Sequence, residues 1–210
     1  MFKTTRVVAG VVMLGLLATL GCEEKKKELA MTADEQAALS TVTSVAVVPL
    51  TDAAGQNGSG STVVGPVTEM VLSPGIKLVE RVQLDKLVQE KDLRDLYSNS
   101  GRAAEVGKLA GVDVVIVGEV SQYEKSANPT NISIPYFGGG TTITTYRVGL
   151  GVRAVRVSDG QIIYTRTGNG SDGAGFARAA QKAAREALGP WREYFSQRQS
   201  APKSPTPAGS

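Results

Sequence analysis

Four places in the chain carry residue types whose spacing could support chemistry. Cys22 is the only thiol, so it can form no disulfide within the chain and is available either for acylation or for simple burial. Gly55-Gln-Asn-Gly-Ser-Gly-Ser-Thr62 follows a strand-like segment and opens a helix-like one, with the glycine spacing of a phosphate-cradling loop. Ser61 stands where the lysine of such a loop must be. Backbone N–H groups are then all the loop offers an anion, and a flexible turn is the simpler account. Glu80-Arg81 sets a carboxylate beside a guanidinium. General-acid chemistry is one use of that pair; tying a strand to the next helix is the more ordinary one. Glu119 interrupts an apolar run beside Gly118, either as a proton-holding acid or, more ordinarily, as a strand-edge residue paired with an arginine.

The absence of histidine narrows this further. Ser-His-Asp and Cys-His catalysis and every His-bearing metal site are excluded. No cofactor or metal is expected, and the chain reads as non-enzymatic. With 23 basic and 20 acidic side chains the formal charge is only +3, so no nucleic-acid partner is expected. A 41% hydrophobic content over 210 residues suits one ordinary domain with tails.

The N-terminus gives Cys22 its context. Lys3 and Arg6 precede an apolar run from Val7 to Leu20, which is shorter than the roughly 20 residues a permanent span needs. The segment resembles a bacterial lipoprotein signal, with Thr19-Leu20-Gly21-Cys22 as its lipobox and Thr19 in place of the commoner leucine. That resemblance implies cleavage after residue 21, lipid attachment at Cys22, and a membrane partner reached through the lipid. Glu23 follows the cysteine where an aspartate would imply inner-membrane retention, so an outer-membrane anchor facing the periplasm is expected. Residues 22–43, with the run Glu23-Glu24-Lys25-Lys26-Lys27-Glu28, read as a tether with a short helix at Ala33–Leu39. Residues 199–210 are Pro/Ser/Ala-rich and read as a disordered tail.

Residues 44–198 must position whatever functions. Val45–Leu50 reads as a buried strand, Ile76–Val79 as a second strand, and Val112–Val120 as a strand covered on both faces. Thr62–Leu72, the stripe Val82/Leu84/Leu87/Val88 and Arg102–Leu109 read as helices. Arg147–Val157 and Gln161–Thr167 form a hairpin about Ser158-Asp159-Gly160. Ala174–Leu188 reads as an amphipathic helix broken by Gly189-Pro190, with Arg178, Lys182 and Arg185 on its solvated face. The order β-α-β-α-α-β-β-β-α predicts an α/β fold: a three-layer-like sandwich of a mixed β-sheet with helices on its faces.

Three segments together resemble the curli production assembly/transport lipoprotein family of CsgG and HfaB. They are Leu78–Leu93 with Glu80-Arg81, Leu109–Ser126 with Gly118-Glu119, and Tyr146–Gly168 with its Ser-Asp-Gly turn. The resemblance implies a periplasmic domain that assembles into a homo-oligomeric ring and supports export of secreted or surface-assembly subunits. Its pore-forming members add two hairpins per protomer to a membrane barrel. Here residues 124–145 supply one loop or candidate membrane hairpin, with Ile132, Ile134 and Tyr136 alternating on one arm and Tyr146, Val148, Leu150 and Val152 on the other. Only Gly168–Gly173 is left where a second would lie, and Ala53–Ser61, in the place of the family's constriction loop, has no aromatic residue. A non-pore envelope protein of the same fold is therefore expected ahead of a secretion pore. Two further readings are an LpoB-like regulator of a peptidoglycan synthase and, last, a nucleotide- or anion-binding periplasmic protein.

Overall fold

The computed structural model describes residues 31–79, 93–134 and 137–200. The first helix, α1 (Ala33–Leu39), is started by Thr32. Its hydroxyl accepts from the Glu35 N–H at 3.2 Å, and the Glu35 carboxylate accepts from the Thr32 N–H at 2.9 Å, so each satisfies an orphan donor of the other. Met31, Leu39 and Val42 are buried in the main core. Arg198 donates to the Val42 carbonyl at 2.8 Å, and the Tyr194 hydroxyl to the Gln36 carbonyl at 2.9 Å. The packed unit therefore begins by Met31 rather than at residue 44, which corrects the tether boundary. Three apolar side chains outweigh the polar composition around them.

After α1 come β1 (Ser44–Val47), α2 (Ser59–Val71), β2 (Lys77–Val79), α3 (Leu93–Ser98), α4 (Ser100–Ala110), β3 (Val114–Ile134), β4 (Phe137–Arg156), β5 (Ile162–Asp172) and α5 (Phe176–Ser200). The helix expected over Val82–Val88 lies outside the described residues. The separate short helix α3 was not expected; Asn99 ends it and caps α4, its side chain accepting from the Gly101 and Arg102 N–H groups. The sheet order is β2-β1-β3-β4-β5, with β1 parallel to β2 and β3 and the β3-β4-β5 pairings antiparallel. The α/β sandwich with a mixed sheet is thus observed.

Strand parity explains why the central strands are apolar throughout. Val45, Val47, Val114 and Ile116 join the core under α2 and α5, while Ala46, Val48, Val115 and Val117 join a second core with α3 and α4. A strand covered on both faces has no polar side to show. The Ser158-Asp159-Gly160 turn closes the β4–β5 hairpin, with Gly160 at φ +72° and the Asp159 carboxylate accepting from Arg156 and the Gln161 N–H.

One boundary is corrected at the C-terminus. The last helix does not stop at Gly189-Pro190 but runs on to Ser200. Proline removes one helical hydrogen bond, and its ring collides with the Cβ of the residue before it. Gly189 has no Cβ, so that second penalty is absent; Gly65-Pro66 uses the same device inside α2. Beyond the proline, Trp191 and Phe195 are fully buried. Each contributes about 1.5–3 kcal/mol, which together matches or exceeds the roughly 3 kcal/mol an interior proline costs.

Candidate functional site

β3 and β4 outrun the rest of the sheet. β5 accompanies β4 only as far as Tyr146↔Asp172, after which β3 and β4 pair alone from Ser126↔Thr145 to Ile134↔Phe137. At about 3.4 Å per residue this two-stranded ribbon projects about 30 Å from the sheet. The segment sits where the sequence suggested a membrane hairpin, so it is the first candidate site.

Its base is held by aromatic contact. Phe176, the first residue of α5, stacks on Tyr123 of β3 with ring centroids 3.8 Å apart and meets the edge of Tyr146 of β4 at 4.9 Å. Lys125 lies 5.6 Å over the Tyr146 ring. Just below, the β3–β4 register shifts between Val120 and Gln122, a bulge that bends the strand. A Cβ on Gly149 would sit 2.6 Å from the Ser121 hydroxyl oxygen, so the bend needs a glycine there. Bulge and aromatic clamp together set the direction in which the ribbon leaves the sheet.

The expected lipid-facing arm is not where the alternation placed it. Val148 and Leu150, with Val152, are fully buried in the core under α5 and cannot face lipid. Their alternation is that of a half-covered sheet face, which has the same period as a membrane strand. Farther out, Lys125, Ala127, Thr142 and Thr144 share one face of the ribbon, and Glu124, Ser126, Asn128, Ile143 and Arg147 the other. Over those positions neither face carries a continuous apolar stripe. Ile132 and Ile134 pair with Gly139 and Phe137 near the tip. Tyr136, Cys22, Glu80 and Arg81 lie outside the described residues.

Gly118 and Glu119 point to opposite faces of β3, Gly118 toward Leu50 and Glu119 toward Tyr97 of α3. A Cβ on Gly118 would lie 2.9 Å from the Gly151 carbonyl and 3.0 Å from Leu50, so this glycine admits close packing. Glu119 and the Tyr97 hydroxyl meet beside Gly151, and Arg153 lies 4.3 Å over the Tyr97 ring while donating to the Tyr97 carbonyl at 2.9 Å. Burial pushes the Tyr97 hydroxyl up, the Glu119 charge adds to this, and Arg153 opposes it. Gly151 makes room for that hydroxyl. Arg153 thereby ties α3 to the sheet.

The glycine-rich loop also resolves into structure. The Asp52 carboxylate accepts from the Gly58 N–H at 2.8 Å and the Gly60 N–H at 2.6 Å, and the Ser59 hydroxyl turns inward, accepting from the Ala53 N–H at 2.8 Å and donating to the Asp52 carboxylate at 3.4 Å. The helix begins at Ser59, three residues earlier than expected. The N–H groups that an anion would need are already given to an internal carboxylate. An aspartate ahead of a Gly/Ser turn is the sequence feature that carries this arrangement. Among the described residues no three His, Cys, Asp or Glu converge as a metal site. No helix among them is long and apolar enough to cross a membrane.

Solved structures similar to this chain include the PelC dodecamer from Paraburkholderia phytofirmans, at 15% identity and TM-score 0.48 over 72% of this chain and 88% of that one. Lipoprotein GNA1162 from Neisseria meningitidis is 16% identical, with TM-score 0.42 over 63% and 84% of the two chains. E. coli LpoB is 13% identical, with TM-score 0.40 over 80% and 83%. No curated protein matches the chain significantly. The family model for the curli production assembly/transport component CsgG matches residues 28–186. That span takes in all five strands and runs from ahead of α1 into α5, and the chain belongs to the CsgG family.

Proposed function

We propose that the chain is a lipid-anchored envelope protein, attached through Cys22 to the outer membrane and facing the periplasm. Its CsgG-family domain supports export or surface assembly as a homo-oligomer and performs no catalysis. The observation that supports this reading is the family match over residues 28–186, taken with the lipoprotein-like signal ahead of it. Within the reading, a scaffold working in the aqueous periplasm is favoured over a barrel-forming pore. Positions 124–128 and 142–147 of the ribbon lack a continuous apolar stripe, and Val148, Leu150 and Val152 of β4 are buried in the core. Glu23 to Ala30 extended spans at most about 30 Å, so the domain works close to its membrane; that counts against a regulator that must reach deep across the periplasm.

The test is metabolic labelling with palmitate, fractionation, and mass measurement in detergent. The full-length protein incorporates label and fractionates with the outer membrane, Cys22→Ala does neither, and the detergent-extracted species has a multiple of the protomer mass. Absence of label in the wild type removes the anchor, and a monomeric mass removes the homo-oligomer. Discrete conductance steps in planar bilayers would restore the pore.

A further inference from the structure

The outer edge of β5 is an edge strand of the sheet, and such an edge offers a row of N–H and C=O groups to any extended chain. In an antiparallel strand only alternate residues point these groups outward. Thr165, Thr167, Asn169 and Ser171 share that outward parity, and charged side chains meet three of the four, Thr165, Asn169 and Ser171. The Asn169 N–H donates to the Glu186 carboxylate at 2.8 Å. Lys182 Nζ donates to the Ser171 carbonyl at 2.8 Å and is itself fixed by Asp172 at 2.8 Å. The Arg166 guanidinium donates to the Thr165 carbonyl at 2.7 Å, and Glu35 of α1 grips that guanidinium with both oxygens, at 2.8 and 2.9 Å.

The reach of these side chains depends on how close α5 lies. Gly168 and Gly170 face the helix, and a Cβ on either would overlap the helix backbone at Ala183 and Ala179. Lys182 and Glu186, one turn apart on the helix, are thereby brought down to the strand edge.

We infer that the β5 edge is a strand-acceptor surface held closed by Lys182, Glu186 and the Glu35–Arg166 pair, and that the partner it shuts out is the β5 edge of a second copy of this chain. An antiparallel edge is self-complementary about a two-fold axis, so two uncapped β5 strands can pair with each other. The cap confines self-association to other faces of the molecule. This goes beyond the proposed function and does not rest on it, because it concerns one edge whatever the protein assembles with.

The experiment compares full-length wild type with Lys182→Ala/Glu186→Ala in detergent, by light scattering across a hundredfold concentration range. Amide hydrogen exchange at Asn169 is followed at the dilute end. The double variant doubles the mass of the wild-type species as concentration rises, and its Asn169 amide exchanges about tenfold faster when dilute. Glu105→Ala/Lys108→Ala, which likewise removes one acid and one base but from exposed positions of α4, away from the β5 edge, keeps the wild-type mass. The inference is overturned if the folded double variant keeps the wild-type mass throughout, or if the control associates equally. Should the double variant not fold, exchange in the wild type decides: an unprotected Asn169 amide overturns the cap, and a protected one supports it.

Discussion

Gly170 of β5 lies against the backbone of Ala179 of α5 so closely that a methyl group at residue 170 would overlap the Ala179 carbonyl oxygen. Gly168 stands in the same relation to Ala183 one turn farther along. The alanine-rich stripe of α5 is therefore not only apolar but small, and it faces a strand that is glycine at the two points of contact. Replacing Gly170 by alanine must push the helix off the sheet or bend the strand. The expected loss is about 2–3 kcal/mol, as for an overpacked core. In a chain of this size that lowers Tm by roughly 5–10 °C, read by circular dichroism. A melting point unchanged within a degree would show that the contact is softer than described.

The aromatic clamp at the ribbon base gives a second expectation. Phe176→Ala removes one stacked and one edge-on contact, each worth about 0.5–1.5 kcal/mol, besides half-buried apolar area. Stability should fall by about 2 kcal/mol. Amide exchange should rise at Tyr123–Lys125 and Thr144–Tyr146 while Val114–Val117 stays protected. Uniform loss of protection would mean that Phe176 serves the whole core rather than the ribbon.

Asp52→Ala tests the reading of the glycine-rich loop. The change strips a cap from α2 and should cost about 1–2 kcal/mol by chemical denaturation. The wild type should show no phosphate or nucleotide binding by calorimetry, since its helix donors are already engaged. Heat of binding with wild-type protein would contradict that assignment.

The Glu35–Arg166 pair predicts a pH dependence with a definite sign. Burial pushes the Glu35 carboxyl up, but hydrogen bonds from Arg166 and Thr32 and the Arg166 charge outweigh it and hold the carboxyl below the usual range. A carboxyl lowered by folding adds stability that is complete above its unfolded value, about 4.3, and is lost as pH falls through the lower folded value. Asp113, held down by Thr43 and Ser44 against its own burial, acts in the same direction. Wild-type stability should therefore decline on acidification below about pH 4.5. Glu35→Gln should be less stable at neutral pH and show a shallower acid limb, and an identical limb would remove Glu35 from the account.

Much of the architecture was legible in the chain itself. Unbroken valine runs require strands covered on both faces, Ser158-Asp159-Gly160 requires a turn, and Thr32 with Glu35 is a helix start written in four residues. The mixed sheet followed from those elements. The candidate sites were less legible. The alternation Tyr146–Val152 is the same pattern for a strand under a helix as for a strand in lipid, and only the position of α5 separates the two.

What the sequence by itself determined was the strands of the sheet, the β4–β5 hairpin and the family, because these rest on local periodicity and on motifs at fixed spacing along the chain. Tertiary structure decided that Met31, Leu39 and Val42 belong to the core, that α5 continues through Pro190, and that Glu186 and Lys182 reach the edge of β5. Each of those depends on partners 11 to 159 residues away in the chain, as in the 159-residue separation of Arg198 from Leu39. Burial and close approach between such distant segments leave no periodic trace in either one, so they exist only once the chain has folded.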